Sequence, residues 1–409
     1  MSTSMPNSQH QYTVVVKRAE DASASDALAV VRMSAFPTRS RLPTELCEHV
    51  IDWVAARYKP DDWNWKIQQT LSACALVCRA WLYRSRMHLY SRITLQSESL
   101  ARLECTLRTA CHISSFITEL KIDNFNDSKA LSSLFITRRP QNLKILYISG
   151  LDLTREHIWL SRASICHSVQ DLNLVDLQEC KVSQLIRFIN CFHSLSSLRM
   201  DFHLAFNNLE YNGQIISKPS HLLSRCSLEM LNLELIPGIS RLLNWGLKAG
   251  SLLKHIRKLT LQCWTHYNKS EFCLCFGGIE ALLHHCGATL EELTLHFGYV
   301  PLVYDISDFF HLESFPRLQK LTYQAIESDV ILQYAARQLS AVSSEVGIVE
   351  IQLDIFLYIY KPARDLCRSI DSILTSGNFP LLCKVQLHRN IPFDLFPTLQ
   401  KKQILEALK

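Results

Sequence analysis

Glycine is scarce in this chain, with 11 in 409 residues, and none falls in a GxGxxG or GxxxxGK[ST] spacing. The two common phosphate-cradling loops are therefore absent. No apolar run approaches the roughly 18 residues of a membrane-spanning helix. The first residues, Met-Ser-Thr-Ser-Met-Pro-Asn, include no apolar core of the secretory type, so an intracellular protein of cytoplasm or nucleus is expected. Strong charge of one sign is missing too. With 43 basic and 38 acidic residues the net charge is only +5, too weak over this length to call for a nucleic acid or a membrane surface. What is present is ordinary for a globular protein: 48% hydrophobic and 20% charged residues exclude wholesale disorder.

No CxxC pair occurs among the 15 cysteines. The odd count in a long chain argues against a disulfide framework. Cys273 and Cys275 sit in Phe272-Cys273-Leu274-Cys275-Phe276, which reads as a buried apolar strand. His284, His285 and Cys286 lie close by. Buried thiols and a helix-end histidine pair explain them better than zinc does. GxSxG, HExxH, calcium-loop and kinase patterns are missing as well. Histidines such as His112, His167, His193, His255 and His311 precede apolar triads, a structural loop-to-strand position. No catalytic residue, cofactor site or metal site is expected, and the chain is not read as an enzyme.

Composition shifts divide the chain into three parts. Residues 1–38 are rich in Ser, Ala, Asp and Thr and read as a disordered lead. Residues 39–92 read as three short helices. Pro43 suits the first turn of a helix, and Glu45 and Glu48 favour its positive end. Leu42, Leu46, Val50 and Val54 recur at steps of four, with Ile51 and Trp53 widening the apolar band. Residues 55–69 carry charges, Pro60, Trp63 and Trp65, and are expected to be an inserted loop. A second helix follows from Thr70 to Val77, and a third from Cys78 through Trp81 and Leu89. Ser91 to Leu95 alternates like a strand.

Within that segment, Leu42-Pro43-x-Glu45-Leu46, Val50-Ile51, Leu71 and Leu76-Val77-Cys78-Arg79-x-Trp81 resemble the F-box, in the form seen in basidiomycete-type fungal proteins. The resemblance covers about 55 residues. The 20-residue step from Ile51 to Leu71 is longer than that family's usual spacing. The resemblance implies a three-helix module that docks onto a Skp-type adaptor and, through it, a cullin. The adaptor-binding residues it implies are Leu42, Pro43, Leu46, Val50, Ile51, Leu71, Leu76, Val77 and Trp81. Independently of any family, three short helices bury too little surface to stand alone, and their apolar stripe exceeds what a hairpin covers. Arg79, Arg84 and Arg86 form a basic face, read as solvated, ion-paired or adaptor-facing. Cys78 is expected in apolar surroundings that raise its pKa, not as a nucleophile.

Residues 93–409 carry a recurrent apolar triad at x, x+3 and x+5. Its third member advances through 122, 148, 174, 200, 233, 261, 295, 323, 353 and 387. Three successive steps of 26 open the series, and Leu95 stands 27 before it. Helical spacing fills the gaps, as at Leu100, Leu103 and Leu107, at Leu131 with Leu134 or Phe135, and at Val182, Leu185, Ile186 and Ile189. The pattern resembles leucine-rich repeats, in which no unit buries its own face and stacking makes one core. The expected fold is thus an α/β repeat: an irregular leucine-rich-repeat solenoid, a curved parallel sheet with helices on the convex side. The Asn or Cys usual three residues past the triad is replaced by Phe125, Leu151, Leu177, Ile236, Trp264 and Ile326. Only Asn390 fits, so distorted rungs are expected.

Residues between the inward positions should point to the concave side. Tyr147, Asn173, Arg199, Asp201, Asn232, Glu234, Gln262, His296, Gln324 and Asp354 make up the candidate target face. Beside them stand Lys121, Asp123, Thr260, Thr294, Thr322, Gln352, Gln386 and His388. The face is polar, of mixed sign, and suits a protein partner. The expected role is that of a substrate-recognition subunit of a Skp–cullin–F-box-type ubiquitin ligase. Such a chain would promote transfer by proximity alone. The alternative is a non-ligase interaction scaffold whose helices only cap the solenoid.

Overall fold

The computed structural model describes residues 43–56, 65–123, 140–150, 167–176, 182–201, 227–235, 253–263, 269–298, 311–326, 329–342, 346–356 and 361–387, with Ile239, Leu243 and Leu247. The lead, Leu42, Leu131, Leu134, Phe135, His388, Asn390 and most of the positions that follow the triads lie outside the described residues.

Three helices open the described chain: α1 Thr44–Ala56, α2 Trp65–Val77 and α3 Arg79–Ser91. The loop expected over 55–69 is thus helical at both ends, and residues 57–64 lie outside the described residues. α1 runs on to Ala56, and Trp65 to Gln69 form the first turn of α2. Lys66, Gln68 and Gln69 look like loop residues because they face outward or lie half-buried; the inward Leu71 and Cys74 set the helical phase.

Strand β1, Arg92–Leu95, follows α3 directly and begins an eleven-stranded parallel sheet ordered β1 to β11 as in the sequence. The others are β2 Glu119–Asp123, β3 Ile145–Ser149, β4 Asp171–Val175, β5 Ser197–Asp201, β6 Met230–Glu234, β7 Lys258–Cys263, β8 Glu292–Phe297, β9 Lys320–Ile326, β10 Glu350–Phe356 and β11 Lys384–Leu387. The triads are in register: Leu120 pairs with Leu146, that with Leu172, and that with Leu198. The same frame runs through Leu231, Leu259, Leu293, Leu321, Ile351 and Val385. Every triad position whose side chain is described is buried. The strand frame is therefore regular, while the irregularity expected of the solenoid lies in the length of the return segments.

Backbone hydrogen bonds explain that regularity. From β3 on, at each strand entry one carbonyl of the preceding rung accepts two successive N–H groups of the next. Thr118 O takes Lys144 and Ile145 at 2.8 and 3.0 Å, and Val349 O takes Cys383 and Lys384 at 3.0 and 3.1 Å. At the exits, Gly150 N donates to Val175 O (3.1 Å), Asp176 N to Asp201 O (2.9 Å) and Gly298 N to Cys263 O (2.8 Å). These bonds prolong the ladder past the strands. Gly150 and Asp176 reach the exit turn with φ of 69° and 49°, the left-handed region open to glycine and tolerated by aspartate.

Helices supply the other wall of the core. α4, Ser97–Thr109, buries Leu100, Leu103 and Leu107 as its spacing predicts. Helix Val182–Ile189 buries Leu185, Phe188 and Ile189. Helices Lys269–Cys286, Asp329–Ser340 and Lys361–Thr375 add Leu282, Leu332 and Ile370, among others. Strands stack about 4.8 Å apart, whereas helices need about 8–10 Å between axes, so the strand side takes the inside of the curve. The segment around Cys273 and Cys275 belongs to helix Lys269–Cys286 and is not a strand. Its alternation is five residues long within an 18-residue helix, and length decides such cases.

Candidate protein-interaction surfaces

The helical module is held by polar and apolar ties of different reach. Asp52 on α1 accepts two hydrogen bonds from Arg84 on α3, Nε to Oδ1 at 2.6 Å and Nη2 to Oδ2 at 2.7 Å. His88 Nε2 lies 2.7 Å from the same Oδ1. The Arg84 guanidinium, with His88 beside it, holds the Asp52 carboxyl down at about 2 in spite of partial burial. Arg84 is thus the ion-paired member of the basic face. Cys47, Ile51, Leu71 and Cys74 close the small core, and Ser85 is fully buried on α3.

One end of the module adjoins the repeats. A half-open cavity of about 230 Å³ is lined there by Ala55 and Ala56 of α1, Ile67 and Leu71 of α2, and His88, Leu89 and Arg92. The C-terminus of α1 thus meets the N-terminus of α2 and the C-terminus of α3. The opposite end gathers the start of α1, the end of α2 and the start of α3. There Pro43 and Cys78 are exposed and Trp81 is half-buried. Large apolar side chains also stand in solvent: Leu46 at 50% exposure and Val50 at 50% on α1, Leu76 at 87% and Val77 at 63% on α2. Trp53 and Tyr83, not foreseen as surface residues, are 56% and 61% exposed.

Six of the adaptor residues implied by sequence therefore stand at or beside this surface. Ile51 and Leu71 do not; at 0% and 5% exposure they hold the helices to each other. Leu42 lies outside the described residues. Cys78 is exposed at the N-cap of α3, not in the apolar surroundings expected. The Asp52–Arg84–His88 tie has no sequence signal, because its members are 32 and 36 residues apart and no periodicity links them.

The polar face of the sheet is ordered in rows, since the strands are in register. One row carries Lys121, Tyr147, Asn173, Arg199, Asn232, Thr260, Thr294, Thr322, Gln352 and Gln386. The next carries Asp123, then Asp201, Glu234, Gln262, His296, Gln324 and Asp354. The candidate residues are thus brought to one face. Asp201, Glu234, Gln262 and Thr322 are nevertheless buried, because neighbouring rungs crowd one another across the row. Gln262 Nε2 donates to Asn232 Oδ1 at 3.0 Å, and Arg199 pairs with Asp201 at 3.2 Å. Lys121 lies 4.9 Å above the Tyr147 ring, a cation–π contact. Burial pushes the His296 imidazole toward its neutral form, against the pull of Asp354 and Asp201.

At the starts of β7 to β11 a third row, Lys258, Glu292, Lys320, Glu350 and Lys384, alternates in sign. Lys258 pairs with Glu292 at 2.8 Å, and Glu350 takes Lys320 and Lys384 at 3.1 and 3.2 Å. This row specifies register and is already internally matched.

Among the described residues no three His, Cys, Asp or Glu side chains stand where they could hold a metal ion. Cys286 is buried, and burial pushes its thiol up to about 12. No described helix is long and apolar enough to cross a membrane.

No protein-family profile matches the sequence, and no curated protein does. Among solved structures the chain is similar to the leucine-rich repeat-containing protein LegL7 of Legionella pneumophila. Identity is 15% over 76% of this chain and 96% of that one, with a TM-score of 0.43. It is also similar to a chain of the Rad7 and Elc1 complex of yeast, at 14% identity over 89% and 91%, with a TM-score of 0.36.

Proposed function

We propose that this chain is the substrate-recognition subunit of a Skp–cullin–F-box-type ubiquitin ligase. Its helices bind the Skp-type adaptor, and the polar face of its sheet binds a target protein. The observation that carries this reading is the exposure of Leu46, Val50, Leu76 and Val77, four of the residues in the F-box-like motif. Large apolar side chains left in solvent on so small a module suit an interaction site. A repeat array that ends in a simple cap needs a polar outer face, and this module has an apolar one.

The second reading, a scaffold capped by its helices, draws on Met87 and Tyr90, which pack against the repeat core as cap residues would. Co-expression with a Skp-type adaptor and size-exclusion chromatography separates the two. The ligase reading expects a 1:1 complex. Leu46→Ala with Leu76→Ala, both outside the core, should weaken it at least about tenfold, since such anchors contribute about 2 kcal/mol or more each. A chain that ignores the adaptor, or a double variant of unchanged affinity, leaves the scaffold.

A further inference from the structure

Two histidines that belong to neither proposed surface stand together at the entries of β4 and β5. His167 precedes Leu172 by five residues and His193 precedes Leu198 by five, and those leucines are paired across the two strands. The rings thus occupy the same place in successive rungs. Their centroids are 5.4 Å apart and their planes cross at 87°. His167 is exposed and His193 half-buried, so the pair is open to solvent.

The backbone beneath them is tied down. Val169 and Phe192, both fully buried, anchor the two turns in the core. Ser168 Oγ donates to Leu143 O at 2.8 Å, and Gln170 O accepts Ser196 N and Ser197 N, both at 2.9 Å. His193 Nδ1 lies 3.2 Å from the carbonyl oxygen of Cys191. A carbonyl only accepts, so Nδ1 carries the proton and donates it, and Nε2 of the neutral ring keeps its lone pair. Histidines that bind metal ions are oriented in this way, the other ring N–H being given to a carbonyl or carboxylate.

We propose that His167 and His193 bind a divalent transition-metal ion of the kind that prefers imidazole, Zn²⁺, Ni²⁺ or Cu²⁺. Each ring gives one nitrogen, Nε2 in the case of His193. Two imidazoles on one tetrahedral ion, with nitrogens about 2.0–2.1 Å from it, have centroids about 5 Å apart, close to the spacing of this pair. The described residues contribute no third ligand, so water fills the remaining positions. The ion bridges two rungs and stabilises the folded chain by mass action. An edge-on ring contact, the plainer account of the pair, needs no nitrogen.

Electron paramagnetic resonance of the full chain with one equivalent of Cu²⁺ near neutral pH reads the ligands. The spectrum should show two imidazole nitrogens, and excess Zn²⁺ should displace the copper. His167→Phe and His193→Phe keep a ring at each position and remove the nitrogen. Each should weaken Cu²⁺ binding at least about tenfold, since one protein ligand of two is lost. His255→Phe, at the exposed entry of β7, should change nothing. Wild-type affinity in either of the first two variants, equal loss at His255→Phe, or fewer than two imidazole nitrogens in the spectrum would overturn the proposal. Circular dichroism checks that the variants fold. Should one fail to, the other variant and the wild-type spectrum still decide.

Discussion

Tyr323 occupies the third triad position of its rung, where most others carry Leu or Ile. Its side chain is fully buried and its hydroxyl has no hydrogen-bond partner. Burial alone pushes the phenol far above its ordinary pKa, so it stays neutral at any physiological pH. The ring contributes packing, edge-on to Tyr334 at 6.2 Å between centroids, while the oxygen contributes only a desolvation cost. Tyr323→Phe should therefore leave stability unchanged or raise it by up to about 1 kcal/mol. Tyr323→Ala should cost about 3–5 kcal/mol, the range for buried aromatic rings. Urea unfolding of the two variants measures both. A Phe variant that loses more than the Tyr hydroxyl could supply would mean the oxygen has a role its surroundings do not show.

Among the elements, α1 and α3 illustrate how a weak periodic signal is completed by a charge that sequence does not reveal. The apolar residues of the helices were legible as a set by their spacing, and so were the rungs, because a spacing of two within a strand and an opening step of 26 between strands survive in the letters. The partition of the set was not. Leu46 and Ile51 are both apolar on one helix, and only the neighbouring helices decide that Ile51 is core and Leu46 surface. The same holds for Asp201 and Glu234, polar letters whose burial follows from crowding between rungs. Asp52 ties the two helices, and its folded pKa of about 2 lies below the ordinary 3.8. A depressed carboxyl contributes stability above the unfolded pKa and loses it as pH falls through the folded one. The module should accordingly hold its helicity down to about pH 4 and lose it between about pH 4 and 2. Asp52→Asn should remove that acid step and cost about 1 kcal/mol at neutral pH, the upper end for a partly exposed bidentate pair. Circular dichroism across that pH range reads both, and an unaltered acid transition in the variant would count against the tie.

For the whole molecule the question is whether helices and repeats are one cooperative unit. α3 runs into β1 without a linker, Arg92 being both its C-cap and the first strand residue. Met87, Tyr90 and Ile93 pack against the repeat core, and Tyr83 meets Phe116 edge-on at 5.2 Å. Arg92 pairs with Glu119 at 3.1 Å on the next rung. In a stacked array each unit is stabilised by its neighbours, so the first rungs depend on α3 as later rungs depend on one another. The three helices alone bury too little to fold independently. A chain starting at Arg92 should then melt lower than the full chain by roughly 5 °C or more, since several buried apolar contacts are lost together. A fragment ending at Ser91 should show no cooperative transition. Calorimetry of the three species decides. If the shortened chain melts with the full one, the helices are an independent appendage. If it melts lower, the surface formed by Leu46, Val50, Leu76 and Val77 is carried rigidly on the solenoid. A target bound as proposed would then be held at a defined distance from the proposed adaptor on the helices, the geometry that the proposed transfer by proximity requires.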